Sequence, residues 1–328
     1  MQIENRVNYI DAIKGLAIVL MFYAHLLPHY DEHSTFLGLT ERLVSSLAAP
    51  IFLFLVGYNY KPFNSISIQL QRVLVIFLFA VLIDLFVWKI FPFYSFDVLY
   101  TIGFSLLFLR ALAGFNYWVK WGFFMLLFLS VVGIELFNAY NISLSEPYLW
   151  QPYNIKDVFY NLFINGWFPL FPWLLFSLMG HLFREINLDK MAIKIGSIIL
   201  FLLSLVVVFN STFLVRPFAV EIFYPVGFAY LFVSISWLLC IWSNRTLFSG
   251  AVFQLLSPLG RTSLIMYAVH LSIYHLCADF MVQKEINRYL AFMLFLICFY
   301  IIALLTDTYK SKWSFYSKYA FIRIILGS

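Results

Sequence analysis

Apolar runs of roughly bilayer length, broken by short polar clusters, recur along the whole chain. A spanning helix needs about 20 predominantly apolar residues, and half-buried strands would instead show shorter runs with a period of two. The runs predict ten spans, near residues 10–28, 43–61, 70–91, 97–114, 117–137, 167–185, 191–210, 222–243, 262–281 and 289–307. The expected fold is therefore all-α, a polytopic membrane bundle of about ten transmembrane helices forming one integral-membrane domain over residues 1–328. An even number of spans puts both termini on one side. Of the 21 Lys and Arg residues, fifteen then fall on that side and six on the other. This bias makes the expected side cytoplasmic for both termini. The basic, aromatic tail of about 308–328 is expected along the inner surface of a plasma or inner membrane.

Composition strengthens this picture without altering it. Hydrophobic residues make up 63% of the chain and charged residues 11%, and the mean hydropathy is +0.89. That excludes an ordinary soluble domain. The first run carries Asp11 and Lys14 and lacks a small-x-small cleavage pattern before Pro28, which reads as a retained first span. A net charge of +5, with no basic face interleaved with aromatics, argues against a nucleic-acid partner. Cys240, Cys277 and Cys298 lie in apolar segments without CxxC or Cys/His spacing, so they read as packing residues. His25, His29 and His33 share one side only if the helix continues past Pro28, and no metal site is expected. The outer connection of about 138–166 is rich in Asn, Tyr, Pro and Trp and is expected to be structured. Pro169 and Pro172 suit the helix start that follows it.

Chemistry concentrates where ionisable groups enter these apolar runs, because a charge at bilayer depth needs a partner or a wet cavity. Lys14 and His25 are eleven steps apart along the helix, which turns it back to within about 20° of its starting direction. The two side chains share a face about 16 Å apart. Asp11 and Lys14 read either as an interfacial ion pair or as a functional lysine. Asp84 and Glu135 lie toward the outer ends of their spans and could orient an imidazole or bind a polar substrate. Arg72, Arg110, His181, Arg184 and Arg261 lie at inner ends. They read as positive-inside anchors or as a cluster holding an anionic ligand by charge-assisted bonds. Tyr267, His270 and Tyr274, at i, i+3 and i+7, form a polar stripe that must find partners inside the bundle.

The first run, with Asp11, Lys14-Gly15-Leu16-Ala17 and His25, resembles the opening helix of the membrane acyltransferase superfamily, which carries an Asp, an Arg-Gly-Leu-Ala and a later His. Ala49-Pro50-Ile51-Phe52-Leu53-Phe54-Leu55-Val56-Gly57 resembles the second helix of those families. Gly260, Ser263, Tyr267 and His270 match their late Gly-x-x-Ser-x-x-x-Tyr-x-x-His helix. The blocks Phe96–Gly103 and Phe168–Gly180 are similar to the heparan-alpha-glucosaminide N-acetyltransferase-like branch rather than to the broader acyltransferase-3 branch. Lys14 replaces the usual Arg and loses its forked donor geometry. The catalytic histidine of the animal enzymes falls later in the helix, which keeps His29 beside His25 as a rival.

The resemblance implies an enzyme that moves an acyl group, in the first instance acetyl from cytoplasmic acetyl-CoA, to a hydroxyl or amine of a sugar or lipid-linked sugar. Catalytic roles would fall to His25, His29 and Asp84, and the cofactor's phosphates to Lys14, Arg72, Arg184 and Arg261. Asp11, Trp167, Tyr267 and His270 would line the acceptor side. A histidine near its unperturbed pKa can take a proton at neutral pH, as such a transfer needs. A glycan or lipid exporter that uses the same polar residues as a path is the alternative. Acceptor identity and homo-oligomerisation stay open.

Overall fold

The computed structural model describes residues 8–26, 43–61, 65–136, 154–210, 226–313 and 322. Its helices are α1 (Asn8–Leu26), α2 (Ala48–Tyr58), α3 (Ile66–Ile83), α4 (Val98–Leu112), α5 (Tyr117–Leu136), α6 (Ile155–Tyr160) and α7 (Leu170–Leu182). They continue with α8 (Met191–Asn210), α9 (Phe228–Ser243), α10 (Ala251–Gln254), α11 (Ser257–Arg261), α12 (Ser263–Gln283) and α13 (Arg288–Tyr309). There is no strand among the described residues. Each of the ten predicted runs coincides with a helix. α1, α3 with the π-helical turn Asp84–Trp88 that extends it, α5 and α13 are long and apolar enough to cross a bilayer. Two bent pairs, α6 with α7 and the two arms of α12, raise the number to as many as six. The remaining apolar helices, Leu43–Tyr58, Val98–Leu112, Met191–Val207 and Phe228–Ser243, are shorter. The chain is an all-helical membrane protein.

Helices of this kind have no polar face, so burial sorts apolar residues by size and spacing. On α3 the exposed residues Leu70, Leu74, Leu78 and Leu82 repeat every four positions, while Gln69, Val73, Ala80 and Ile83 are buried. On α13 the inward stripe is Ala291, Phe295, Phe299 and Ala303. Polar side chains govern helix ends instead. Asp97 accepts from the Leu99 amide at the start of α4, and Asn287 does the same for Tyr289 at the start of α13. Pro169 stands immediately before α7, where a missing amide donor costs little. Within the long connection of about 138–166, residues 155–165 are helical, ending in the π-helical turn Asn161–Asn165. Residues 137–153 and most of the 308–328 tail lie outside the described residues.

The chain forms two compact units, one made of Met1–Ile51 and Ile241–Ser328 and the other of Phe52–Cys240. In the first unit α1 is innermost, with more than half of its apolar window buried. Gly15 of α1 meets the backbone of Leu256, and Gly260 of α11 meets the backbone of Asp11, so the two chains cross with no side chain between them. Phe22 extends this contact, packing against Phe295 and Phe299 of α13. An ion triad closes the far side: Arg261 Nε and Nη2 both lie 2.7 Å from Asp307 Oδ2, and Lys310 Nζ lies 3.1 Å from Oδ1.

The second unit has an equivalent backbone crossing. Gly57 of α2 lies on the Ser177 carbonyl and Gly180 of α7 on the Phe54 carbonyl. At one pole of this unit the fully buried Asp84 carboxylate staples the connection between α3 and α4. Ser95 Oγ donates to Oδ1 at 2.7 Å, Tyr100 Oη to Oδ2 at 2.7 Å, and the Phe93 amide to Oδ2 at 3.1 Å. The connection needs such anchoring because Lys89, Phe93 and Phe96 all hold positive φ. It is also laced to the segment before α7. The Trp167 and Phe168 amides donate to the Ser95 and Phe96 carbonyls at 2.8 and 3.0 Å, and Asn161 Nδ2 donates to the Tyr94 carbonyl at 2.9 Å.

Filling a backbone crossing should cost more than filling open space. Gly57→Leu or Gly180→Leu is expected to destabilise the protein by about 1–3 kcal/mol or to abolish folding. Gly122→Ala, where no atom lies within 4 Å of the added methyl, should be neutral or slightly stabilising. Thermal unfolding of the detergent-solubilised variants measures the contrast. Asp84→Ala, which removes the acceptor of the buried Ser95 and Tyr100 hydroxyls, is expected to lower stability by about 1–3 kcal/mol or more in the same assay. Asp84→Asn, which keeps one acceptor, should retain part of it.

Candidate active site

α1 is helical through Leu26 because its apolar run contains no Gly or Pro beyond Gly15, and this carries His25 to the end of the helix. α12 is helical from Ser263, and its polar stripe of Tyr267, His270 and Tyr274 faces the same end of α1. The result is a histidine pair from residues 245 positions apart in sequence. His25 Nδ1 lies 2.8 Å from His270 Nε2. The rings stack with centroids 5.0 Å apart and planes 22° apart.

The hydrogen-bond pattern orders the protons. His270 Nδ1 lies 3.0 Å from the Met266 carbonyl, which can only accept, so this nitrogen carries a hydrogen. In the neutral ring His270 Nε2 must then accept, and His25 Nδ1–H is its donor. His25 is thereby held in the tautomer whose Nε2 bears the lone pair. The chain of carbonyl, imidazole and imidazole does for His25 what a carboxylate does for the base of a hydrolytic triad: it selects the tautomer and aims the ring.

The surroundings hold the pair in place. His270 is fully buried, with the Phe22 ring 5.0 Å away and the Tyr267 ring edge-on at 5.7 Å. The Tyr274 ring lies 5.5 Å from His25. His25 itself is half-buried, so it is the accessible member of the pair. Beyond Tyr274, α12 bends by 46°.

The other predicted site residues fall as follows. Lys14 is half-buried on α1, and Asp11 is buried where its carbonyl receives Gly260. Arg261 was expected among the phosphate-binding cations, and it is held by Asp307 within its own unit. Asp84 was expected to act in catalysis. Both its oxygens accept structural hydrogen bonds, and it belongs to the second unit, whereas His25 belongs to the first. Trp167 is half-buried beside it, its indole edge-on to Trp88 at 5.1 Å. Arg72 is half-buried on α3. Arg184 is exposed and donates to the Tyr60 carbonyl. His29 and His33 lie outside the described residues, as does the side chain of Glu135. Sequence reasoning placed His25 and His270 on separate helices and assigned them separate jobs. Only the fold shows that they share a proton, because sequence spacing says nothing about which spans are neighbours.

Similarity to known proteins bears on the same helices. No curated protein and no solved structure matches the chain. The family profile described as heparan-alpha-glucosaminide N-acetyltransferase, catalytic, matches residues 6–206. The match takes in His25, Asp84 and His181, and His270 lies beyond it. With well over half of its length matched from α1 onward, and an imidazole pair built on that first helix, the chain belongs to the heparan-alpha-glucosaminide N-acetyltransferase catalytic family.

Proposed function

We propose that the protein is an integral-membrane acetyltransferase that moves an acetyl group from acetyl-CoA to an amine or hydroxyl of a glycan, with His25 as general base and His270 as its positioning residue. The observation that carries this reading is the ordered pair itself, a half-buried imidazole whose proton position is set by a fully buried one. His25 Nε2 takes the proton of the acceptor amine or hydroxyl as that atom attacks the thioester carbonyl. The new C–N or C–O bond forms, the C–S bond breaks, and the proton on His25 passes to the departing thiolate. His270 keeps its hydrogen on the Met266 carbonyl throughout and stabilises the transient imidazolium by accepting its Nδ1–H. A base of this type contributes about 10²–10⁴-fold in rate.

The family name points to a glucosamine-type amine as acceptor, which is the form of the reading we adopt. Ten spans with both termini cytoplasmic complete it. The Lys and Arg bias supports that arrangement, and the four shorter apolar helices would cross as part of the bundle. Lys14, in the same unit as the histidine pair, is assigned to the donor's anionic end.

The test is transfer of radiolabelled acetyl from acetyl-CoA to glucosamine acceptors by the purified protein. His25→Ala is expected to lower the rate by about 10²–10⁴-fold. His270→Ala should cost less, and the double variant no more than His25→Ala alone, because the second imidazole acts only through the first. Undiminished transfer by His25→Ala would refute the assignment, and a dead His29→Ala beside it would move the role to His29.

A further inference from the structure

The hydrogen bond from His25 to His270 fixes one edge of the base and leaves a motion open. A histidine side chain turns about two bonds, and the second, between Cβ and the ring, has a broad and roughly two-fold profile. One contact at Nδ1 does not confine both turns. A second contact is needed, and α12 supplies it.

The backbone beneath the imidazole is seated independently of it. His25 is the next-to-last residue of α1, and the residues around it are packed. Leu26 is buried in one cluster with Ala278 of α12 and Ala291 of α13, and the Tyr23 ring meets Phe292 edge-on at 4.8 Å. What remains to be held is the ring itself, and beside it lies Tyr274. The two ring centroids are 5.5 Å apart with planes at 34°, a tilted pair within the usual spacing of aromatic contacts. Tyr274 is only 6% exposed, so its own ring has little room to turn. It stands four residues after His270, about one helical turn, in the first arm of α12, Ser263–Tyr274. The acceptor of the His25 hydrogen bond and the ring beside His25 are thus two points of one rigid template. The transfer chemistry above uses the first point and gives the second no task.

We infer that Tyr274 is a positioning residue for His25: its ring blocks the turn that the hydrogen bond to His270 leaves open, and so keeps Nε2 aimed in one direction. The inference deepens the acetyl-transfer reading and rests on it for the identity of the base. A ringless side chain in place of Tyr274 leaves the imidazole free to swing away from His270. Its Nδ1–H then loses its acceptor, and the neutral ring exchanges between both tautomers. A base whose lone pair moves between two nitrogens is misaimed for part of the time, which costs rate rather than substrate affinity.

Nitrogen NMR of the full chain in nanodiscs, with isotope-labelled histidine, reads the tautomer without turnover. His25→Gln identifies the His25 signals. Wild type is expected to show His25 as a single Nδ1–H tautomer, Tyr274→Leu to show both tautomers, and Tyr274→Phe to rescue the single one. Tyr274→Met, also ringless, takes the place of Tyr274→Leu if that protein does not fold. In acetyl transfer the ringless variants are expected to lose about tenfold in kcat with KM unchanged, and the Phe side chain to rescue the rate. A ringless variant with the wild-type nitrogen spectrum overturns the inference. A Tyr274→Phe spectrum as mixed as that of the ringless variants also overturns it, since the hydroxyl and not the ring is then the working part. Wild type that transfers no acetyl refutes the proposed function instead, and the nitrogen spectra alone then decide whether Tyr274 holds the His25 ring.

Discussion

The contact on which the active site depends is the backbone crossing of α1 and α11. Gly15 and Gly260 remove two Cβ atoms and let main chain touch main chain, which in lipid, where apolar surface alone does not drive helices together, is the means of fixing one helix against another. Each glycine stands ten residues before a histidine, Gly15 before His25 and Gly260 before His270. The 2.8 Å contact between His25 and His270 lies about 15 Å along α1 from this crossing.

Much of this architecture could be read from the amino acids, for a physical reason. Bilayer thickness imposes a length on apolar runs, and every predicted run is a helix. The same uniformity conceals neighbours: Leu74 faces outward and Phe299 inward, yet nothing in their chemistry distinguishes lipid from protein as a partner. The histidine pair was half legible, as two intramembrane imidazoles that each demanded a partner. Asp84 reads as chemistry because it is a carboxylate inside an apolar run, and the structure shows that both its oxygens also hold the positive-φ connection of Lys89, Phe93 and Phe96. The burial of Lys120 against His181 was not legible. Counted among cations near the inner boundary, it gave no sign that its position three residues into α5 would be closed off by α7.

The two units differ in how they satisfy buried charge. In the first, Asp307 pairs with both Arg261 and Lys310, which ties α11 to α13. In the second, Asp84 is satisfied by neutral donors and Lys120 by a neutral acceptor. Hydrogen bonds of that kind solvate a charge without cancelling it. A carboxylate wrapped in three donors can stand alone, while an ammonium with one imidazole for company remains under-solvated.

The division of the chain has a bearing on how the protein is made. The second unit is inserted whole between the halves of the first, so α1 leaves the ribosome some 245 residues ahead of the helix that supplies His270. At about 5–20 residues per second this is a wait of roughly tens of seconds. Throughout it, a first helix bearing Asp11, Lys14 and His25 must remain in the insertion machinery or at the membrane surface with provisional partners. Biogenesis of this protein is thus an exercise in delayed closure, in which α1 waits for a partner made only after the whole second unit.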